Sequence, residues 1–159
     1  MRRLILTLLL VLLAGPALAA ARITDDAVRA FVARQERAWN GGQVDAYFAA
    51  FTPQARFTDQ AYVGDKPPVP YGTSTRAEAK AQARKALAEG KSREAAKVTR
   101  IEIAPDGQTA KVTLSVGSIV ESGGRRRRLC AARTLQLVLQ GGALKGGDQT
   151  DTYVRCRGG

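Results

Sequence analysis

The stretch from Arg34 to Asp59, RQERAWNGGQVDAYFAAFTPQARFTD, restricts the fold more than any other part of this 159-residue chain. Just upstream, Thr24 offers a capping hydroxyl, and Asp25 and Asp26 suit the positive amino end of a helix. Val28, Phe31, Val32, Gln35, Ala38 and Trp39 then recur at helical spacing, so a first helix has one apolar face. Asn40-Gly41-Gly42 stops it, because glycine accepts the left-handed backbone of a helix carboxyl end. Val44, Tyr47, Phe48 and Phe51 form a second, shorter stripe that Pro53 closes. Ala55, Phe57 and Asp59 alternate with Arg56 and Thr58, as in a strand. These apolar faces need a surface to pack on, and the later chain has to supply it.

The rest of the chain supplies a third helix and four strands. Gln60 to Gly72 holds three prolines, two glycines and two tyrosines and reads as a loop. Thr75 and Glu78 stand at capping-box spacing before an alanine-rich helix that ends at Gly90. Its Ala77, Ala81, Leu87 and Ala88 fall near one side. Val98, Ile101 and Ile103 lead into the turn Pro105-Asp106-Gly107. Ala110, Val112, Leu114 and Val116 alternate cleanly, as do Leu135, Leu137 and Leu139. Gly123-Gly124 and the run Arg125 to Arg128 read as a solvated hairpin turn, and Gly141-Gly142 as another turn. Thr150 to Cys156 reads as the last strand. No internal repeat or linker divides residues 23–157, which read as one domain.

Residues 1–19 carry the three parts of a secretory signal: Arg2-Arg3, an apolar run over Leu4 to Ala14, and Ala17-Leu18-Ala19 before the cut. The apolar run is short for a membrane span. The expectation is an exported bacterial protein, periplasmic or secreted, with no membrane association after cleavage. The net charge of +11 falls to +9 once Arg2 and Arg3 leave. Charge alone does not make a nucleic-acid binder, and no aromatic residues interleave with the basic run, so no nucleic-acid partner is expected. The chain has no histidine, which excludes a Ser-His-Asp or Cys-His triad, and two cysteines alone make no zinc site. No metal or cofactor is expected. Pairing residue n with residue 286 − n sets Cys130 opposite Cys156 on a terminal hairpin, a bridge suited to an oxidising compartment. That register needs a bulge near Gly146-Gly147.

Two features carry a family resemblance: the AWNGGQVDAYFAAFTPQARFTD stretch and the helix start Gly72-Thr73-Ser74-Thr75-Arg76-Ala77-Glu78. With the order helix, helix, strand, helix, four strands, the chain is similar to the nuclear transport factor 2-like superfamily, including SnoaL-like and ketosteroid isomerase-like members. The resemblance covers Ile23 to Cys156, with Gln43 where the family carries an acid after the turn. It implies an α+β fold of the cystatin-like type: a curved, mostly antiparallel sheet packed by three N-terminal helices, with a pocket between them. It implies a homodimer through the open sheet face as one assembly. It also sets Asp59 where the ketosteroid isomerases carry their proton-shuttling carboxylate, and Gln35 where they carry a donor tyrosine.

If Leu135, Leu137 and Leu139 face the helices, Arg133 does too. In the register above, Tyr153 lies opposite Arg133 and Asp151 opposite Leu135. Asp59, Arg133, Asp151 and Tyr153 then line one cavity, with Trp39, Tyr47, Tyr62 or Tyr71 near its walls. Two readings follow. The cluster orients a ligand, or Arg133 is an internal ion-pair partner of Asp59 or Asp151. The expected function is non-catalytic binding of a small molecule or a protein partner. The alternative is an isomerase, lyase or hydrolase with Asp59 as general base.

Overall fold

The computed structural model of this chain describes residues 21–156, so the expected secretory segment lies outside the described residues. Thr24 caps α1 (Asp25–Asn40) by accepting the Ala27 N–H at 3.2 Å. Val28, Phe31, Val32 and Ala38 are buried along one face of α1. The chain reverses at Gly41-Gly42, where Gly42 takes φ 67°, and α2 (Val44–Ala49) buries Val44, Tyr47 and Phe48. Strand β1 (Arg56–Ala61) follows, then β2 (Val69–Thr75), α3 (Arg76–Glu89), β3 (Gly90–Ile103), β4 (Thr109–Ser122), β5 (Arg125–Gln140) and β6 (Ala143–Val154). The six strands form one sheet in the order β2-β1-β6-β5-β4-β3. Only β1 and β6 run parallel; every other neighbouring pair is antiparallel. The α+β arrangement of three helices on a mostly antiparallel sheet is as expected.

The structure corrects several sequence expectations. The segment Gln60 to Gly72 is not all loop, because β1 runs on to Ala61 and β2 begins at Val69. Pro70 is tolerated because β2 is an edge strand, where a missing N–H breaks no ladder on the open side. The third helix passes straight into β3 at Gly90, eight residues before the first expected apolar position, Val98. The buried side of α3 is Ala83, with Ala79 and Leu87 beside it, rather than Ala77, Ala81 and Ala88. The turn between β4 and β5 is Gly123-Gly124 alone, and Arg125 to Arg128 are exposed residues of β5.

The terminal hairpin also slips by two residues from the expected register. Arg133 faces Asp151, and Tyr153 faces Ala131. A two-residue slip keeps every side chain on its face, so the inward set is unchanged. Cys130 pairs in register with Val154 and is bridged diagonally to Cys156. The expected bulge sits between the pairs Leu135–Gln149 and Leu137–Gly146.

One edge of the sheet is covered from α1. Asn40 donates to the Glu94 carbonyl at 2.8 Å and accepts the Glu94 N–H at 2.7 Å, as a neighbouring strand would. Glu36 accepts the Ala96 N–H at 3.0 Å. These side chains occupy backbone groups of edge strand β3 that would otherwise template another chain.

The core closes where Phe51 meets β6. Phe51 is 2% exposed, and its ring contacts Phe31, Tyr47 and Phe57 at centroid distances of 6.4, 5.6 and 4.9 Å. The backbone beside it is tied to Gly146 by Thr52 N–H to Gly146 C=O, 2.7 Å, and Gly146 N–H to Ala50 C=O, 2.9 Å. A Cβ on Gly146 would stand 2.4 Å from the Phe51 ring. Neither group has room to retreat, so the Gly146→Ala variant is expected to lose about 2–3 kcal/mol, the scale of overpacking. Urea denaturation checks this, and an unchanged midpoint would contradict the packing described.

Candidate functional site

Four inward positions cross the sheet in one row. Gly72 of β2 pairs with Asp59 of β1, Asp59 with Asp151 of β6, and Asp151 with Arg133 of β5. Arg133 is the buried centre of this row. Its Nε and Nη2 donate to Asp151 at 2.6 and 2.9 Å, and its Nη1 and Nη2 donate to Glu94 of β3 at 2.7 and 3.0 Å. The side chains of Arg133, Asp151 and Glu94 are 11%, 13% and 9% exposed. Burial works against the guanidinium charge, but the Asp151 and Glu94 carboxylates outweigh it, and the Arg133 pKa is raised well above its ordinary value. Gln149 donates to Asp151 at 3.3 Å, and the buried Tyr47 hydroxyl and Gln149 Oε1 lie 3.2 Å apart. Loss of water pushes the Tyr47 phenol up to about 12, so it stays protonated and is the donor to Gln149.

Asp59 is different. Among the described residues it makes no ion pair, and Arg133 is committed elsewhere. Desolvation raises its pKa above the ordinary 3.8, and the neighbouring Asp151 charge adds to this. The Tyr153 hydroxyl and the Arg133 charge pull it back only in part. Desolvation and then the Asp59 and Asp151 charges also raise the Tyr153 pKa, so that phenol keeps its proton.

A cavity of about 320 Å³ opens over this row, within the size range of small-molecule sites. Its walls come from Trp39 and Phe48 on the first two helices, Ala79, Ala83 and Leu87 on α3, and Phe57, Val116, Val120 and Leu129 on the sheet. Asp59, Glu94, Arg133, Gln149, Asp151 and Tyr153 gather its polar groups. The Trp39 indole donates to Ser92 at 3.2 Å, which fixes that wall. Small residues on α3 leave the space; bulkier ones would fill it.

Six of the expected residues therefore lie on this cavity: Trp39, Tyr47, Asp59, Arg133, Asp151 and Tyr153. Tyr62 and Tyr71 do not line it and are 57% and 65% exposed. They belong to the β1–β2 edge, where the chain leaves the helices. The Tyr71 ring still lies 6.3 Å from that of Tyr153. Of the two readings of Arg133, the geometry shows the internal ion pair, with Asp151 rather than Asp59. Sequence reasoning missed its second partner, Glu94, and also Gln149. The alternation Ser92, Glu94, Ala96, Val98 was the available signal for Glu94. Gln35, at the donor-tyrosine position of the ketosteroid isomerases, spends its side-chain amide on the Tyr47 carbonyl at 3.2 Å. Among the described residues no three His, Cys, Asp or Glu side chains converge as a metal site.

No family model matches the sequence, and no curated protein matches it. Solved structures do. A ketosteroid isomerase-like protein from Erwinia carotovora atroseptica superposes with a TM-score of 0.63 at 10% identity, covering 82% of this chain and 96% of that one. The protein Aln2 from a Streptomyces species gives 0.64 at 20% identity, covering 83% and 93%. This chain has the nuclear transport factor 2-like fold. A cystatin-like domain of unknown function from Nostoc punctiforme, at 0.60 and 18% identity over 83% and 78%, has the same arrangement. Identities this low speak for the fold alone.

The nuclear transport factor 2-like core here separates a structural cation from a free carboxylate, which gives a test. Replacing Arg133 by Ala leaves Glu94 and Asp151 buried without a counter-charge and is expected to cost about 3–5 kcal/mol. Asp59→Asn removes an unpaired carboxylate and should leave stability unchanged or slightly higher. Chemical denaturation of the two variants at neutral pH decides; a large loss from Asp59→Asn with a small one from Arg133→Ala would reverse the assignment.

Proposed function

We propose that this protein is an exported binding domain that holds a small, largely apolar molecule in the cavity between helices and sheet, without chemically changing it. The observation that carries this reading is the cavity itself: apolar walls, a row of polar side chains across the sheet, and a size suited to a small ligand. The clamp on Arg133 supports a non-catalytic role, because it spends the strongest potential electrophile of the site on internal pairing. Export is supported by the signal-like residues 1–19 and by the Cys130–Cys156 disulfide. Among the described residues no helix is long and apolar enough to cross a membrane.

One observation favours a second reading. Asp59 has a raised pKa and stands beside the protonated Tyr153, a pairing that suits proton abstraction from carbon with a hydrogen-bond donor at hand. A turnover rate that rises with pH through one carboxylate pKa, and disappears in Asp59→Asn, would favour catalysis over simple binding.

The binding reading is tested with N-phenyl-1-naphthylamine, a neutral dye that fluoresces in apolar cavities. The mature protein is expected to bind it in 1:1 ratio. Ala86 lines the cavity and is exposed on α3, so Ala86→Trp fills the space with little disturbance of the core. That variant should lose dye binding by tenfold or more while melting at an unchanged temperature. Equal dye binding by both proteins would place the dye elsewhere and contradict the reading.

A further inference from the structure

The charges around the cavity run against those of the chain. The protein carries +11 overall, yet the charged side chains on the cavity wall are three carboxylates (Asp59, Glu94 and Asp151) against Arg133 and Lys91. Four of the five N–H groups of Arg133 already point at Glu94 and Asp151. An incoming anion finds no free guanidinium there and meets two carboxylates behind it. Asp59 is the group left over. It is half-buried in the cavity, makes no ion pair among the described residues, and has only the Tyr153 hydroxyl acting on it as a donor. Tyr153 lines the cavity with it, and the exposed Tyr71 ring, outside the cavity, lies 6.3 Å from the Tyr153 ring. A carboxylate beside an aromatic ring is a chemistry that recognises ammonium groups, through a charge-assisted hydrogen bond and attraction to the ring electrons.

We propose that the cavity selects organic cations: a primary or secondary ammonium carried on an apolar, aromatic-sized body. The ammonium sits against Asp59 and the Tyr153 ring. The body lies along Trp39, Phe48, Leu87 and Val116. This rests on the cavity being a ligand site at all, and adds which chemical class it takes.

Three probes of one shape separate the two ideas: 4-phenylbutylamine, 4-phenylbutan-1-ol and 4-phenylbutanoate, each used to displace N-phenyl-1-naphthylamine at neutral pH. The amine is expected to bind roughly 10- to 100-fold more tightly than the alcohol, the ratio a hydrogen bond to a charged group provides. The butanoate should bind more weakly than the alcohol. Asp59→Asn should remove the amine's advantage, so that the two probes bind the variant with about equal affinity. Acidification is a second measurement that needs no variant. The groups acting on Asp59 are Asp151 and Tyr153 of β6 and Arg133 of β5, and the Asp59 charge acts in turn on Tyr71 of β2. The amine keeps its proton throughout, so its advantage should fade as Asp59 takes up a proton at a pH above the ordinary 3.8. If dye and alcohol bind but the amine gains nothing, the cation preference is overturned and the binding site stands. If the folded protein binds neither the dye nor any of the three, the binding reading falls, and this one with it.

Discussion

A buried guanidinium is tolerable only with counter-charges held in fixed geometry, and Arg133 obtains them from both sides of its strand. Asp151 comes from the next strand, β6, and Glu94 from β3, the far edge of the sheet. Glu94 is itself positioned by Asn40, whose side chain takes both backbone groups of that residue. The turn that ends α1 is thus linked through Glu94 and Arg133 to Asp151, four strands deep into the sheet. Because Arg133 turns four of its five N–H groups to Glu94 and Asp151, Asp59, next in the row, makes no ion pair among the described residues. Its pKa is raised first by its own burial and then by the Asp151 charge, and its availability to a ligand follows from the clamp.

The same sheet is packed tightly at one end and loosely at the other. Near Phe51, aromatic rings from the first two helices and β1 press on a β6 backbone that has to be glycine at position 146. Under α3 the lining residues Ala79, Ala83 and Ala86 are small, and space remains. Interiors pack to crystal-like density wherever side chains can reach, so an unfilled volume of this size records a local choice of small residues. The close-packed end holds the frame, and the alanine-walled end holds the cavity.

Much of this was legible in the chain. The caps of α1 and α3 and the break at Asn40-Gly41-Gly42 are local signals, set by hydrogen bonds a few residues apart. The alternation through Ala110 to Val116 shows a strand with one face in the core. β2 was hidden because its Pro70 and Gly72 are turn formers that an edge strand happens to tolerate. The first half of β3 was hidden because its edge position leaves Lys91, Arg93, Ala95 and Lys97 exposed, so it reads as polar. Side-chain facing on the last hairpin came out correctly and the cross-strand partners did not, because parity survives a slip of two residues. Glu94 lies 39 residues from Arg133, and no local pattern announces a partner at that distance.

The central claim, that the Arg133 clamp leaves Asp59 as an uncompensated carboxylate in the cavity, is tested most directly by following the Asp59 side-chain carboxyl by carbon-13 NMR as a function of pH. The account predicts a midpoint above the ordinary 3.8, moving upward further when a neutral apolar ligand fills the cavity and drives out water. A midpoint at or below 3.8 would mean that Asp59 has a cationic partner after all, and the division between clamp and ligand group would be wrong.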